Sequence, residues 1–243
     1  MLAPETLVLS LVGGFLPALL WLIFWLKEDE SPEPKRLLVI AFIGGVIAIP
    51  TALVLELFWS NTIKTWLGES KDYLSIAGFV LLLGFSFIEE YAKYFFASSL
   101  IFWRKEYDEP ADAMIYLMTT ALGFAAAENV LYLIKPFDLA ILKGITTSDL
   151  RFLGPTLLHA LSSGFLGFFI ARAFFQSRFR REVALAIGLI FSTGLHALFN
   201  TFILVAGGKT IEPALILLLA AGIVILFSFE KIKHSLINTY AKR

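Results

Sequence analysis

The chain contains no cysteine, which excludes thiol nucleophiles, disulfides and thiolate-held metals. It has no excess of charge of either sign. Its 20 Lys and Arg balance 20 Asp and Glu, so no basic surplus points to nucleic acid as a partner. Histidine is scarce, at three residues. The common hydrolase signatures are also missing. There is no H-E-x-x-H helix of the zinc proteases, no G-x-S-x-G nucleophile turn and no G-x-G-D of intramembrane aspartyl proteases. Ser162-Ser163-Gly164 is a weak serine signal without a matching base. Neither an internal repeat nor a soluble domain interrupts the chain.

What fills the 243 residues is apolar: 58% are hydrophobic, and 24 are Phe. That composition belongs to a bundle of spanning helices rather than to a soluble domain. Apolar runs of spanning length fall near 7–26, 37–59, 74–102, 113–134, 152–175, 183–206 and 211–229. The expectation is an all-α, polytopic bundle of about seven spans forming a single membrane domain over 1–243. The second span is open to a break at Pro50, and the last is the weakest. The first run lacks a basic n-region and a small-residue cleavage site, and reads as a retained span.

Loop charges set the orientation. Twelve Lys and Arg, from Lys27, Lys35 and Arg36 to Lys242 and Arg243, fall on one side. Six fall on the other: Lys64, Lys71, Lys135, Lys143, Arg151 and Lys209. This bias puts the N-terminus outside and the C-terminus in the cytoplasm.

Against this background FIEEYAKYFF, residues 87–96, needs a reason. A charged residue at a helix centre costs about 2.5–3.5 kcal/mol on insertion scales, and Glu89, Glu90 and Lys93 stand together there. Other spans carry polar residues as well: Glu128 and Asn129 in the fourth, His159 in the fifth, His196 and Asn200 in the sixth. At about 1.5 Å per residue, Glu89 and Glu90 lie roughly 22–24 Å from the outer end of the third span. Counted the same way, Glu128 and His196 lie about 20–22 Å from the inner ends of their spans, and His159 about 10 Å below the outer surface. All fall in one zone between the midplane and the outer leaflet, as one buried site requires.

Lys93 is i+4 from Glu89 and i+3 from Glu90, so it pairs well with only one of them. The two glutamates point about 100° apart, so one serves as the lysine-paired anchor while the other faces a cavity. A carboxyl in a cavity suits a general base acting on water, with imidazole and Asn200 as donors to an oxyanion. Two histidines and a glutamate also suffice to hold zinc with water in the fourth position; the set would be Glu89, His159 and His196. Glu56 and Arg172 lie near span ends and read as interfacial.

Taken in order, Glu89-Glu90-x-x-Lys93, Phe124-x-x-x-Glu128-Asn129, His159 and His196-x-x-x-Asn200 resemble the PrsW family of intramembrane proteases. The segments SPEPKRLL (31–38) and DEPADAMIY (108–116) resemble that family too, and the likeness covers about 27–202. The family is distantly related to the CAAX prenyl proteases and bacteriocin-immunity proteins, whose pattern is E-E-x-x-x-R, F-x-x-x-H and H-x-x-x-N. Here the basic residue is Lys93, one position closer, and Glu128 stands where those relatives have histidine.

The resemblance implies an endopeptidase in a prokaryotic plasma membrane. Its substrates would be single-span or membrane-anchored proteins such as anti-sigma factors. Glu89, ahead of Glu90, would activate the water, and His196 with Asn200 would form the oxyanion site. Glu128 and His159 would stand beside them, with Lys93 and Asn129 as structural partners. Catalysis by glutamate without a cofactor is favoured, with Zn2+ the alternative. Two other classes bury such residues: a non-catalytic scaffold subunit, and a proton- or ion-coupled carrier, which should show inverted repeats and broken helices.

Overall fold

The computed structural model describes residues 3–69, 72–205 and 210–240, the side chains of 234–240 excepted. Lys71, Lys209, Lys242 and Arg243, which entered the loop-charge count, lie outside the described residues. Among the described residues the regular structure is helical throughout: α1 (Pro4–Trp25), α2 (Lys35–Leu67), α3 (Ile76–Leu100), α4 (Pro110–Leu139), α5 (Ile141–Leu153), α6 (Pro155–Arg172), α7 (Arg178–Val205) and α8 (Glu212–Tyr240), with a short 3-10 turn at Leu26–Glu28. The protein is a polytopic helical bundle.

Each predicted span has its helix, and α2 continues through Pro50 without a break. Among the described residues six stretches are long and apolar enough to cross a membrane: Pro4–Glu28, Lys35–Leu67, Pro110–Leu139, Ile141–Arg172, Arg178–Val205 and Glu212–Lys233. The seventh, α3, falls outside that set because Glu89, Glu90 and Lys93 sit in its second half, although its 25 residues are long enough. It is tolerated because those three side chains are buried against protein rather than lipid. The predicted outer loop at 135–151 is corrected: α4 runs on to Leu139, and α5 fills the rest as a separate helix.

The bundle is organised around α4. From Pro110 to Ala126 every residue is buried, the pattern of a helix enclosed on all sides. It packs against α1, α2, α5 and α6. Its crossing with α2 is made by glycines: a Cβ on Gly45 would stand 1.8 Å from the Thr120 carbonyl oxygen, and one on Gly123 would stand 1.9 Å from that of Phe42. Small residues that bring backbones together are the usual currency of helix packing in lipid.

At its start, α4 is clasped to the loop after α1. Pro110 opens the helix, and Asp112 Oδ2 accepts from the backbone N–H groups of Asp108 and Glu109 at 2.8 and 2.9 Å. The Tyr116 hydroxyl donates to Glu33 Oε2, and the Glu33 carboxyl meets that of Asp112. Burial raises the pKa values of Asp29, Glu33 and Glu109 above the usual carboxylate range. The segments around 31–38 and 108–116 thus form one acidic joint.

Candidate active site

Four helices bring their polar residues to one place. On α3, Glu90 and Lys93 have no exposed side-chain surface, and Lys93 Nζ donates to Glu90 Oε1 at 2.6 Å. The same oxygen accepts from Ser162 Oγ and His196 Nδ1, each at 2.8 Å, and Ser163 Oγ reaches Glu90 Oε2 at 3.2 Å. Four donors around one carboxylate make Glu90 the anchor that ties α3 to α6 and α7. Because a carboxylate only accepts, His196 carries a proton on Nδ1, and its Nε2 is the ring nitrogen turned toward Glu89, at 3.7 Å from Oε2.

A second chain of contacts runs through His159. Lys93 Nζ stands 3.0 Å from His159 Nδ1, and an ammonium only donates, so Nδ1 accepts and the ring proton is on Nε2. That Nε2–H meets Glu128 Oε2 at 3.2 Å. Glu128 is held in turn by Arg151 from α5, at 2.5 Å, while Arg151 Nε donates to Asn129 Oδ1 and the guanidinium lies 4.1 Å from the Tyr132 ring centroid. Asn129 Nδ2 donates to Thr156 Oγ1 at 2.8 Å. Phe124, from the same motif as Glu128, packs its ring 5.3 Å from His159 and 5.0 Å from the Lys93 ammonium.

Glu89 is different. Its Oε2 is buried with no hydrogen-bond partner, 3.9 Å from His159 Nδ1 and 3.7 Å from His196 Nε2. It lines a cavity of about 660 Å3 together with Glu56, Glu128, His159, His196 and Asn200. The adjacent glutamates therefore divide as their 100° separation requires: Lys93 pairs Glu90, and Glu89 faces the cavity.

The donor set fits a divalent ion. Ligand atoms of Glu89, His159 and His196 lie within 4.8 Å of one another. Two ligands of a tetrahedral zinc ion at 2.0–2.1 Å stand about 3.3 Å apart, so the orphaned Glu89 oxygen and His196 Nε2 need to close by only a few tenths of an ångström. His196 is also backed by the Glu90 carboxylate, the arrangement that raises the basicity of a metal-binding imidazole. The third donor, His159 Nδ1, shares its lone pair with the Lys93 hydrogen bond, so that bond and a metal contact are alternatives.

Four contributors to the site are not evident from the sequence. Arg151 was counted as a loop charge, whereas α5 turns it inward onto Glu128. Glu56, read as interfacial, lines the cavity. Ser162 and Ser163, weighed as a nucleophile, are donors to Glu90. Arg172 stays at a helix end, 5.9 Å from the Phe168 ring centroid.

Comparison with known proteins gives the family. The family model described as "PrsW family intramembrane metalloprotease" matches residues 33–228. A protein named Protease PrsW from Geobacillus kaustophilus is 28% identical over 181 residues, covering 74% of this chain and 73% of that protein. Its namesake from Bacillus subtilis is 28% identical over 183 residues, 75% and 76% of the two chains. Another from Oceanobacillus iheyensis is 26% identical over 190 residues, 78% and 80%. No solved structure matches the chain. With four helices converging on the motif residues and a family model that spans most of its length, the chain belongs to the PrsW family of intramembrane proteases.

Proposed function

We propose that the chain hydrolyses a peptide bond of membrane-anchored proteins, of the anti-sigma-factor kind, in the Glu89 pocket, and does so in a bacterial plasma membrane. The observation that carries this reading is Glu89 Oε2, a buried acceptor with no donor, between two imidazole nitrogens on a cavity wall. A water molecule entering the cavity finds there the acceptor that the protein leaves unused. In the net reaction its oxygen bonds to the carbonyl carbon, the carbon–nitrogen bond breaks, and its proton ends on the departing amine. Asn200, on the same wall, is the side-chain donor for the negative charge that develops on the carbonyl oxygen.

The residues favour a metal at this spot over glutamate alone. His196 donates its Nδ1–H to Glu90, so Nε2, beside the orphaned Glu89 oxygen, is the ring atom in place to serve as a ligand. Glu89, His159 and His196 would hold the ion, which when bound supplies Lewis acidity and lowers the pKa of its water. Around them, Glu90 fixes the tautomer and direction of His196, and Glu128 with Arg151 does the same for His159. Lys93 balances the charge of Glu90. The second reading, Glu89 acting directly as base, rests on the same orphaned oxygen.

Reconstituted protein with a panel of tagged single-span substrates separates these readings. Loss of cleavage on chelation and its return with zinc is the expected result. Cleavage that survives exhaustive chelation assigns the water to Glu89 alone. A wild-type protein that is folded and cuts no member of the panel would overturn the proposal in favour of a scaffold.

A further inference from the structure

A second cavity, of about 690 Å3, lies at the opposite end of the bundle and shares no lining residue with the peptidase pocket. It is formed where α3 ends, α6 ends and α7 begins, the side that the Lys and Arg count assigns to the cytoplasm. One wall is aromatic. Phe102 stacks on Tyr107 with centroids 4.4 Å apart, and Tyr107 meets Phe174 at 5.1 Å. The mouth is basic: Arg178 and Arg181 line it, and Arg180 is next in sequence. The carboxylate at the mouth, Glu182, is bonded by Arg178 at 2.8 Å. Among the described residues Arg181 makes no ion pair, so the mouth carries net positive charge.

The surroundings say what reaches this mouth. Phe175 and Phe179 beside it are 66% and 74% exposed, and Trp103 is 69% exposed beneath the Arg104 guanidinium. A tryptophan bared at the end of a spanning helix sits at the headgroup level of a bilayer. An aromatic wall below an arginine rim, at that depth, matches a molecule with an apolar body and an anionic phosphate. In a zwitterionic lipid, the choline or ethanolamine cation offsets the phosphate and is repelled by the rim. Anionic lipids are also the ones that basic cytoplasmic pockets collect.

We propose that this cavity binds an anionic phospholipid of the adjoining leaflet, its phosphate on Arg178 and Arg181 and its glycerol and first acyl carbons along the Phe102–Tyr107–Phe174 wall. The site is separate from the peptidase chemistry and does not depend on it. Each basic residue near an anionic headgroup contributes roughly fivefold to binding, so removing two should weaken it about thirtyfold.

The test is native mass spectrometry of the full chain in micelles, titrated with phosphatidylglycerol, phosphatidylcholine or soluble glycerol phosphate. Wild type should retain one phosphatidylglycerol per chain. Arg178→Ala/Arg181→Ala should lose it about thirtyfold, while Lys27→Ala/Lys35→Ala, basic residues of the same side outside the cavity, should keep it. Soluble glycerol phosphate should not displace the lipid. Equal retention by the arginine variant, equal binding of phosphatidylcholine, equal loss in the lysine variant, or displacement by glycerol phosphate would each overturn the assignment. Since both arginines are exposed, unchanged thermal unfolding of the variant is the expected control.

Discussion

Replacing Lys93 by Met tests whether Glu90 anchors the bundle as an ion. Both side chains are fully buried, and the ammonium is the shortest of four donors to the carboxylate, at 2.6 Å. Met keeps the length and most of the volume of Lys, so little of the effect comes from packing. What remains is a carboxylate with three donors, Ser162, Ser163 and His196, and without the lysine ammonium. Breaking a buried pair from one side costs about 3–5 kcal/mol, because the surviving charge stays desolvated. The double change Lys93→Met/Glu90→Gln removes both charges and keeps an amide oxygen for the serines and His196. It should therefore cost less than Lys93→Met alone. Equilibrium unfolding in mixed micelles across the four proteins gives the coupling directly, and a coupling of at least about 2 kcal/mol is expected. Additivity within about 0.5 kcal/mol would refute the reasoning, since independent sites add to that margin.

Other expectations follow from the same contacts. Glu89→Gln should leave unfolding within about 1 kcal/mol of wild type, because the Glu89 oxygen has no partner to lose; a larger drop in a micelle unfolding assay would mean Glu89 is structural. Arg151→Ala should lower the cleavage rate by about 10–100-fold, the usual cost of losing an outer-shell partner, and Arg151→Lys should restore only part, because a single ammonium does not span Glu128 and Asn129; equal rates in all three would remove Arg151 from the site. The acidic joint should make stability fall as pH rises. Asp29, Glu33 and Glu109 have pKa values raised in the folded state, so their contribution is complete below the unfolded carboxylate range near pH 4 and is lost as pH climbs through the raised values. Glu33→Gln, whose amide does not titrate, should flatten that slope; an unchanged pH profile would refute the contribution of Glu33.

The helices were legible because lipid demands long apolar runs, and those runs are plain from residue 7 to 229. The exception is α5. Its sequence ILKGITTSDLRFL has too many polar residues for a span, and the one-sided, helix-period placement of its apolar residues is an amphipathic signal that a search for spanning runs passes over. Its docking is set by tertiary contacts: Ser148 Oγ donates to the Gly13 carbonyl at 3.0 Å, and Trp21 Nε1 to that of Phe152 at 3.0 Å. Arg151 went unnoticed for the same reason, since a lone arginine in an apparent loop gives no sign of direction. The charged and histidine positions inside spans were readable, because an ionisable group in lipid needs a partner and the candidate partners were few. Which glutamate took Lys93 depended on rotation about α3, and that rotation is set by the packing of Ser162, Ser163 and His196. The role of His196 turned on its tautomer, which only its contact with Glu90 decides.

If the Glu89 pocket does the chemistry, removing its carboxylate must abolish cleavage. The most direct measurement is the cleavage rate of one tagged single-span substrate in proteoliposomes by wild type and Glu89→Gln, at equal amounts of folded protein. Cleavage by wild type and a fall of at least about a thousandfold in the variant are expected, a transition-state loss of roughly 4 kcal/mol. Comparable rates from the two proteins would contradict it.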